Sequence, residues 1–237
     1  YSTEYTDNGT AINALGNNGS TSTTQLKVVG CEFINNHKYF QNSTGIAATD
    51  LPYTVLPFYL NFVSVLSNHF AGLTTGVFSN NSDILIDRAY FEDVSTSVAS
   101  FNGSDIELVG SGYYTIERGD VAVYSSESDL KVHDVHGERL YNGIDQYPLF
   151  LNVTDIHDNN LSASINCINI GGGTNSSGTI RHNLLFNTGG KGGFPGTAAI
   201  SLNDYNNIES TGDWHISENR IESEGDYGAV YAVNFEN

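Results

Sequence analysis

Apolar residues recur along this chain in short bursts that alternate with polar ones at period two, the spacing of strands. One motif reads apolar–x–x–Asn or small–x–apolar. It appears at Val28–Phe33, Ile86–Phe91, Leu108–Tyr113, Ile156–Leu161, Ile180–Leu185 and Ile216–Ile221, and in degraded form at Val132–Gly137. Ile86, Leu108, Val132, Ile156 and Ile180 follow one another at steps of 22, 24, 24 and 24 residues, a solenoid period. A second motif, small–Ala or apolar–x–apolar, falls between copies of the first. It appears at Ala11–Ala14, Gly45–Ala48, Gly76–Phe78, Val98–Phe101, Val121–Tyr124, Ile165–Ile168, Ala199–Leu202 and Gly228–Tyr231. Each repeat therefore holds at least two short strands, with Gly, Asn, Ser and Asp at the joints.

A strand of about five residues cannot bury an apolar face alone, but equivalent strands stacked about 4.8 Å apart form a continuous inner column. The repeats are too short for βαβ crossovers and too regular for an immunoglobulin-like sandwich. The spacing predicts an all-β solenoid, a parallel β-helix with one strand set per turn. Asn159, Asn183 and Asn219 share one repeat position, where the coil must bend. Asn tolerates the left-handed conformation, and stacked amides can bond along the column.

Motif pairs such as "LKVVGCEFINN" with "TGIAATD", and "WHISENRIES" with "YGAVYAVNF", resemble the pectin-lyase-like superfamily over nearly the whole chain. The resemblance implies a right-handed, single-stranded parallel β-helix of about eight coils of 20–36 residues, forming one domain over 1–237. That superfamily includes polysaccharide lyases and hydrolases, tailspikes, adhesins and surface proteins, so the fold alone does not select a function. Three stretches depart from the repeat: 1–10 reads as an N-terminal arm, 49–75 as an irregular coil with an insertion, and 186–197 as a glycine-rich loop.

Charge narrows the partners. The formal net charge is −18, from 27 acidic and nine basic residues, which argues against nucleic acid and anionic lipid. No apolar run is long enough to span a bilayer. The absence of Met and the start at Tyr1 read as a processed or excised piece. Eight N-x-S/T sequons begin at Asn8, Asn18, Asn42, Asn80, Asn102, Asn152, Asn160 and Asn175. They point to an extracellular or cell-surface glycoprotein. Cys31 and Cys167 fall about five coils apart, roughly 24 Å along the axis, so no disulfide is expected and both read as buried small apolar groups.

Aligned on the repeat, the residues flanking the inward position form an ionisable outer face. Lys131 and His133, Asp155 and His157, Thr179 and Arg181, then His215 and Ser217 follow on successive coils, with Asp134, Asp158, His182 and Glu218 at the adjoining bend. The candidate catalytic set is Lys131, His133, Asp155, His157, Arg181, His182 and His215. The superfamily resemblance implies a Lys or Arg base near acids, often with Ca²⁺, whereas two imidazoles and a carboxylate could hold a transition metal. The alternative is a solvated face of cross-strand charge pairs.

The Asn-Thr-Asp, Gly-His-Gly and Arg-Ile-Lys blocks of polygalacturonase-like enzymes are absent from the sequence, as is a WIDH-type block. No catalytic residue or cofactor is therefore assigned. The leading expectation is a secreted, glycosylated structural surface or filament protein. Its β-helix would stack on another copy or continue into a longer chain. An extracellular carbohydrate-active enzyme and a glycan-binding or tailspike-type module are the alternatives, with glycans as their partners.

Overall fold

The computed structural model describes residues 2–4, 9–15, 26–35, 43–50, 63–111, 113–148, 151–171, 176–189, 197–203, 213–223 and 231–236. Among them every regular element is a strand and every strand pairing is parallel. The chain is a β-solenoid with three faces. The first face stacks Leu26–Val29, Val63–Leu66, Ile84–Asp87, Asp105–Val109, Asp129–His133, Val153–His157, Ser177–Arg181 and Trp214–Ser217. The second stacks Ser2–Glu4, Glu32–Ile34, His69–Ala71 and Tyr90–Glu92, and resumes at Leu184–Asn187 and Arg220–Ser223. The third begins with Thr10–Leu15, Thr44–Thr49, Thr75–Asn80 and Thr96–Phe101, and ends with Ala198–Asn203 and Tyr231–Glu236. Between these, Tyr114–Ser126, His136–Tyr147 and Asn160–Gly171 run unbroken from the second face into the third.

The first sequence motif thus spans a corner. Ile86 lies on the first face and Phe91 on the second, while the second motif is the third face. Three stretches differ from the sequence expectation. Within 49–75, Val63–Leu66 and His69–Ala71 form a regular turn, Val65 pairing with Val28 and Ile86. Its copy of the motif, Val65-Leu-Ser-Asn-His-Phe70, is intact, but the apolar insertion before it obscures the spacing; 51–62 lie outside the described residues. Ser2–Glu4, inside the expected arm, is a strand paired with Glu32–Ile34. Phe186 and Asn187, at the start of the expected loop, close a strand, while 190–196 lie outside the described residues.

The corners carry left-handed residues. At the bend from the first face to the second these include Gly30, Ser67, Arg88, Asp134, Asp158, His182 and Glu218. The ladder asparagines follow them by one position, so the left-handed residue is the one before each Asn. With φ near 56° at Asp158, 55° at His182 and 57° at Glu218, the turn is made on the outside and the amide is thrown inward. There it satisfies backbone that the corner interrupts. Asn159 Nδ2 donates to the Val132 carbonyl, Asn183 Nδ2 to that of Ile156 and Asn219 Nδ2 to that of Ile180, at 3.0, 3.0 and 2.8 Å. Asn183 Oδ1 accepts the Asn159 backbone N–H and Nδ2, both at 3.0 Å, and Asn219 Oδ1 serves Asn183 in the same way. Asn68 holds the same corner earlier in the chain, bonding the Val28 carbonyl and the Cys31 N–H.

Three inner columns fill the core. Val65, Ile86, Leu108, Val132, Ile156 and Ile180 line the first face. Val77, Val98, Val123, Ile144, Ile168 and Ile200 line the third. On the second, Phe33, Phe70 and Phe91 stack with ring centroids 4.9 Å apart and planes within 10°. The column continues through Ile116, Gly137, Leu161 and Leu185. Leu140 reaches into the space that a side chain at Gly137 would take, which explains the degraded motif. Tyr113, the apolar end of another motif copy, is instead 80 % exposed, because the corner after Gly110 is longer and Ile116 takes the inward place. Cys31 and Cys167 are unbridged. Cys167 is buried, with its thiol pushed up to about 12 by desolvation, whereas Cys31 at the corner is only half-buried.

Asn183→Ala orphans a carbonyl and an N–H in the ladder. At about 1–3 kcal/mol for each buried unpaired group, it lowers the urea-unfolding free energy by at least about 2 kcal/mol. A loss below about 0.5 kcal/mol contradicts the ladder's role.

Candidate functional site

The ionisable side chains sit on the outer side of the first face because each flanks an inward Val, Leu or Ile. Register aligns Glu107, Lys131, Asp155, Thr179 and His215 in one column and His133, His157, Arg181 and Ser217 in the next. Asp134, Asp158, His182 and Glu218 occupy the left-handed corner beside them.

Stacking decides who meets whom. Lys131 Nζ donates to Glu107 Oε1 at 2.7 Å, the coil before, so it turns away from Asp155. His133 and His157 lie face to face, centroids 4.9 Å apart and planes 7° apart. Each Nδ1 meets the following corner carboxylate, Asp134 Oδ2 at 2.8 Å and Asp158 Oδ2 at 2.7 Å. Each Nε2 faces another acid, Glu107 at 3.4 Å and Asp155 at 3.7 Å. Arg181 reaches Asp155 Oδ1 at 3.8 Å, and the Thr179 hydroxyl donates to the same oxygen at 2.7 Å. His182 pairs with Glu218. His215 stands exposed at the end of its column. The Lys131 ammonium beside Glu107 holds that carboxyl below its usual range, and the His157 hydrogen bond does the same for Asp158.

The resulting chemistry is neutralisation. Lys131, Arg181 and the two stacked histidines each have a carboxylate against them. Among the described residues no group of three or more His, Cys, Asp or Glu is placed to hold a metal ion.

Glu107 was the missing member of the face. Its place in the column follows only from a complete register, which the weak Leu108–Tyr113 motif hides. A second cluster carries its own sequence signal, the triplet Ser-Asp-(Ile/Leu) at Ser82, Ser104 and Ser128. The serines turn inward and are buried. The carboxyls follow in one outer column, where Asp105 pairs with Asp129 and Asp83 accepts the Asp105 N–H at 3.1 Å. Burial, then repulsion from Asp83 and Asp129, pushes Asp105 up to about 6, and burial raises Asp83. On the third face Asp145 is buried between Asn142 and Asn169, which donate to its two oxygens at 3.0 and 3.1 Å, and burial raises its pKa.

Four sequon asparagines fall on described residues. Asn80 ends a third-face strand, Asn102 lies at a left-handed corner, Asn152 donates to Asp129 Oδ1, and Asn160 starts the strand Asn160–Gly171, paired with His136 and Leu184. Asn8, Asn18, Asn42 and Asn175 lie outside the described residues.

Asp105 makes stability rise towards weak acid. A folded-state value near 6 lies above that of the unfolded chain, so between the two the folded form binds more protons. The stabilisation is complete below the unfolded value and is lost as pH rises through about 6. Glu107 and Asp158, held low, act oppositely, losing their contribution only in stronger acid. Melting temperature is therefore higher at pH 5 than at pH 7.5, and Asp105→Asn raises it at pH 7.5 while flattening the slope. A variant less stable than the parent at pH 7.5 contradicts this. By contrast, exposed pairs of the Lys131–Glu107 kind are worth under about 1 kcal/mol, so Lys131→Ala moves the urea midpoint little. Compared with protein-family models, with curated proteins and with solved structures, the chain matches none significantly.

Proposed function

We propose that the chain is a secreted, glycosylated structural protein of a cell surface or extracellular filament. In this reading its solenoid is a right-handed parallel β-helix of the pectin-lyase-like kind, with about eight coils of 20–36 residues. The observation that carries it is the self-pairing of the ionisable face. Lys131 with Glu107, Arg181 with Asp155, and His133 and His157 with Asp134 and Asp158 bind one another in place of a ligand. Such pairs suit a solvated wall that sets stacking register more than a catalytic cleft. Eight sequons and a net charge of −18 support an extracellular setting.

The last described strand of each ladder, Trp214–Ser217, Arg220–Ser223 and Tyr231–Glu236, pairs on one side only among the described residues. An open parallel edge templates further pairing. The proposed partner is another copy of the protein, stacking its ladders along the axis. The acidic surface opposes such stacking, so salt or a divalent cation such as Ca²⁺ strengthens it.

The test is a panel of acidic polysaccharides. The expected result is no cleavage by the wild-type protein, with and without Ca²⁺. Robust cleavage of any one overturns the structural reading in favour of a carbohydrate-active enzyme. Loss of that cleavage in the folded Lys131→Ala or His157→Ala variant then assigns it to this face.

A further inference from the structure

Four aromatic side chains zigzag up the outer side of the third face. Phe78, Phe101, Tyr124 and Tyr147 follow with ring centroids 5.6, 5.4 and 5.6 Å apart and planes tilted by 35–41°. All four are half-buried. A sheet face that turns a run of rings outward offers an apolar surface on which a ligand can lie, and the surrounding sequence supplies one. Asn80 opens the sequon Asn80-Asn-Ser82. It lies two residues after Phe78 on the same strand, so both side chains leave from the same face. Register sets Asn80 directly opposite Phe101.

The Asn80 amide nitrogen is left available to carry a substituent. Asn80 Oδ1 accepts Asn102 Nδ2 at 2.7 Å, which fixes the amide plane and leaves Asn80 Nδ2 without a partner among the described residues. At the neighbouring sequons the corresponding nitrogen already donates a hydrogen bond. Asn102 Nδ2 is the donor of that bond, and Asn152 Nδ2 is held by Asp129 at 3.2 Å.

We propose that Asn80 is a site of N-linked glycosylation and that the first sugars of its glycan lie across the rings of Phe78 and Phe101. The proposal rests on the secreted reading above. In the linking step Asn80 Nδ2 attacks the anomeric carbon of a lipid-linked oligosaccharide diphosphate. The N–C bond forms, the C–O bond to phosphate breaks, one amide proton is lost and the lipid diphosphate leaves. A pyranose presents C–H groups on one face and hydroxyls at its rim, so it covers an aromatic ring and keeps its polar edge in water. Tethering at Asn80 makes this contact intramolecular, which raises the effective sugar concentration at the rings. The ring stripe carries no charge until Asp145, which follows Tyr124 in the outer column, and so suits a neutral sugar on an otherwise acidic chain.

Protein secreted from a eukaryotic cell line is digested and its glycopeptides are sequenced by mass spectrometry. The expected result is a glycan on Asn80. Melting temperatures are then compared for this protein and for unglycosylated protein made in bacteria, each with and without Asn80→Gln. That substitution costs the secreted form about 2–4 °C more than the bacterial form. In a Phe78→Leu/Phe101→Leu background, which keeps side-chain bulk but removes the ring faces, the extra loss disappears. An unoccupied Asn80 beside occupied sequons elsewhere overturns the site and leaves the secreted reading standing, whereas no glycan at any sequon overturns both. An equal extra loss in the two backgrounds overturns the stacking.

Discussion

In-register parallel stacking is the constraint on which everything else in this molecule depends. Each residue's nearest neighbours across the ladder are the residues at the same position one turn before and one turn after. A side chain is therefore acceptable only if it can sit against its own equivalents. Apolar columns meet this condition by packing, and the Phe33, Phe70 and Phe91 rings do it by lying nearly parallel. Asparagine meets it at the corner because an amide is both donor and acceptor, so a column of amides closes on itself while also serving the interrupted backbone.

Charged columns obey the same rule with a different result. Where acid and base alternate, as from Glu107 to Lys131, stacking neutralises the charge. Where the base of one column lies beside the acid of the next, as with Arg181 and Asp155, pairing runs diagonally. Where acids repeat, as at Asp83, Asp105 and Asp129, burial on the ladder, together with the like charge that stacking concentrates, holds Asp83 and Asp105 above the ordinary carboxyl range. The neutralised and the like-charged columns occur on the same face, as neighbouring outer columns. The ladder geometry thus makes most of the wall self-satisfied and one edge of it responsive to acid.

The solenoid was legible in the sequence because its period survives in Ile86, Leu108, Val132, Ile156 and Ile180, whose side chains cannot be exchanged for polar ones without opening the core. The third strand per turn was not, because one motif covered both sides of a corner, and it is the corner bonds of Asn68, Asn159, Asn183 and Asn219 that reveal two faces meeting there. The Val63–Ala71 turn was masked by the apolar insertion before it, which breaks spacing without breaking register. Outer columns such as Lys131–Asp155 and His133–His157 could be read once the inner residue was known. What sequence could not show was the direction of each side chain. Lys131 could bond the acid behind it or ahead of it, and packing sends it back to Glu107. The aromatic zigzag escaped for a similar reason, since its rings alternate between two columns and match no single repeat position.

The central claim is that equivalent positions one turn apart are in contact through parallel strands. Backbone NMR of isotope-labelled protein tests it most directly, through cross-strand proton contacts around Val132. The account predicts that Val132 touches both Leu108 and Ile156, each 24 residues away, in the evenly slanted pattern of parallel ladders. Contacts from Val132 to residues a hairpin's length away, in the alternating close and wide pairs of an antiparallel sheet, would contradict it.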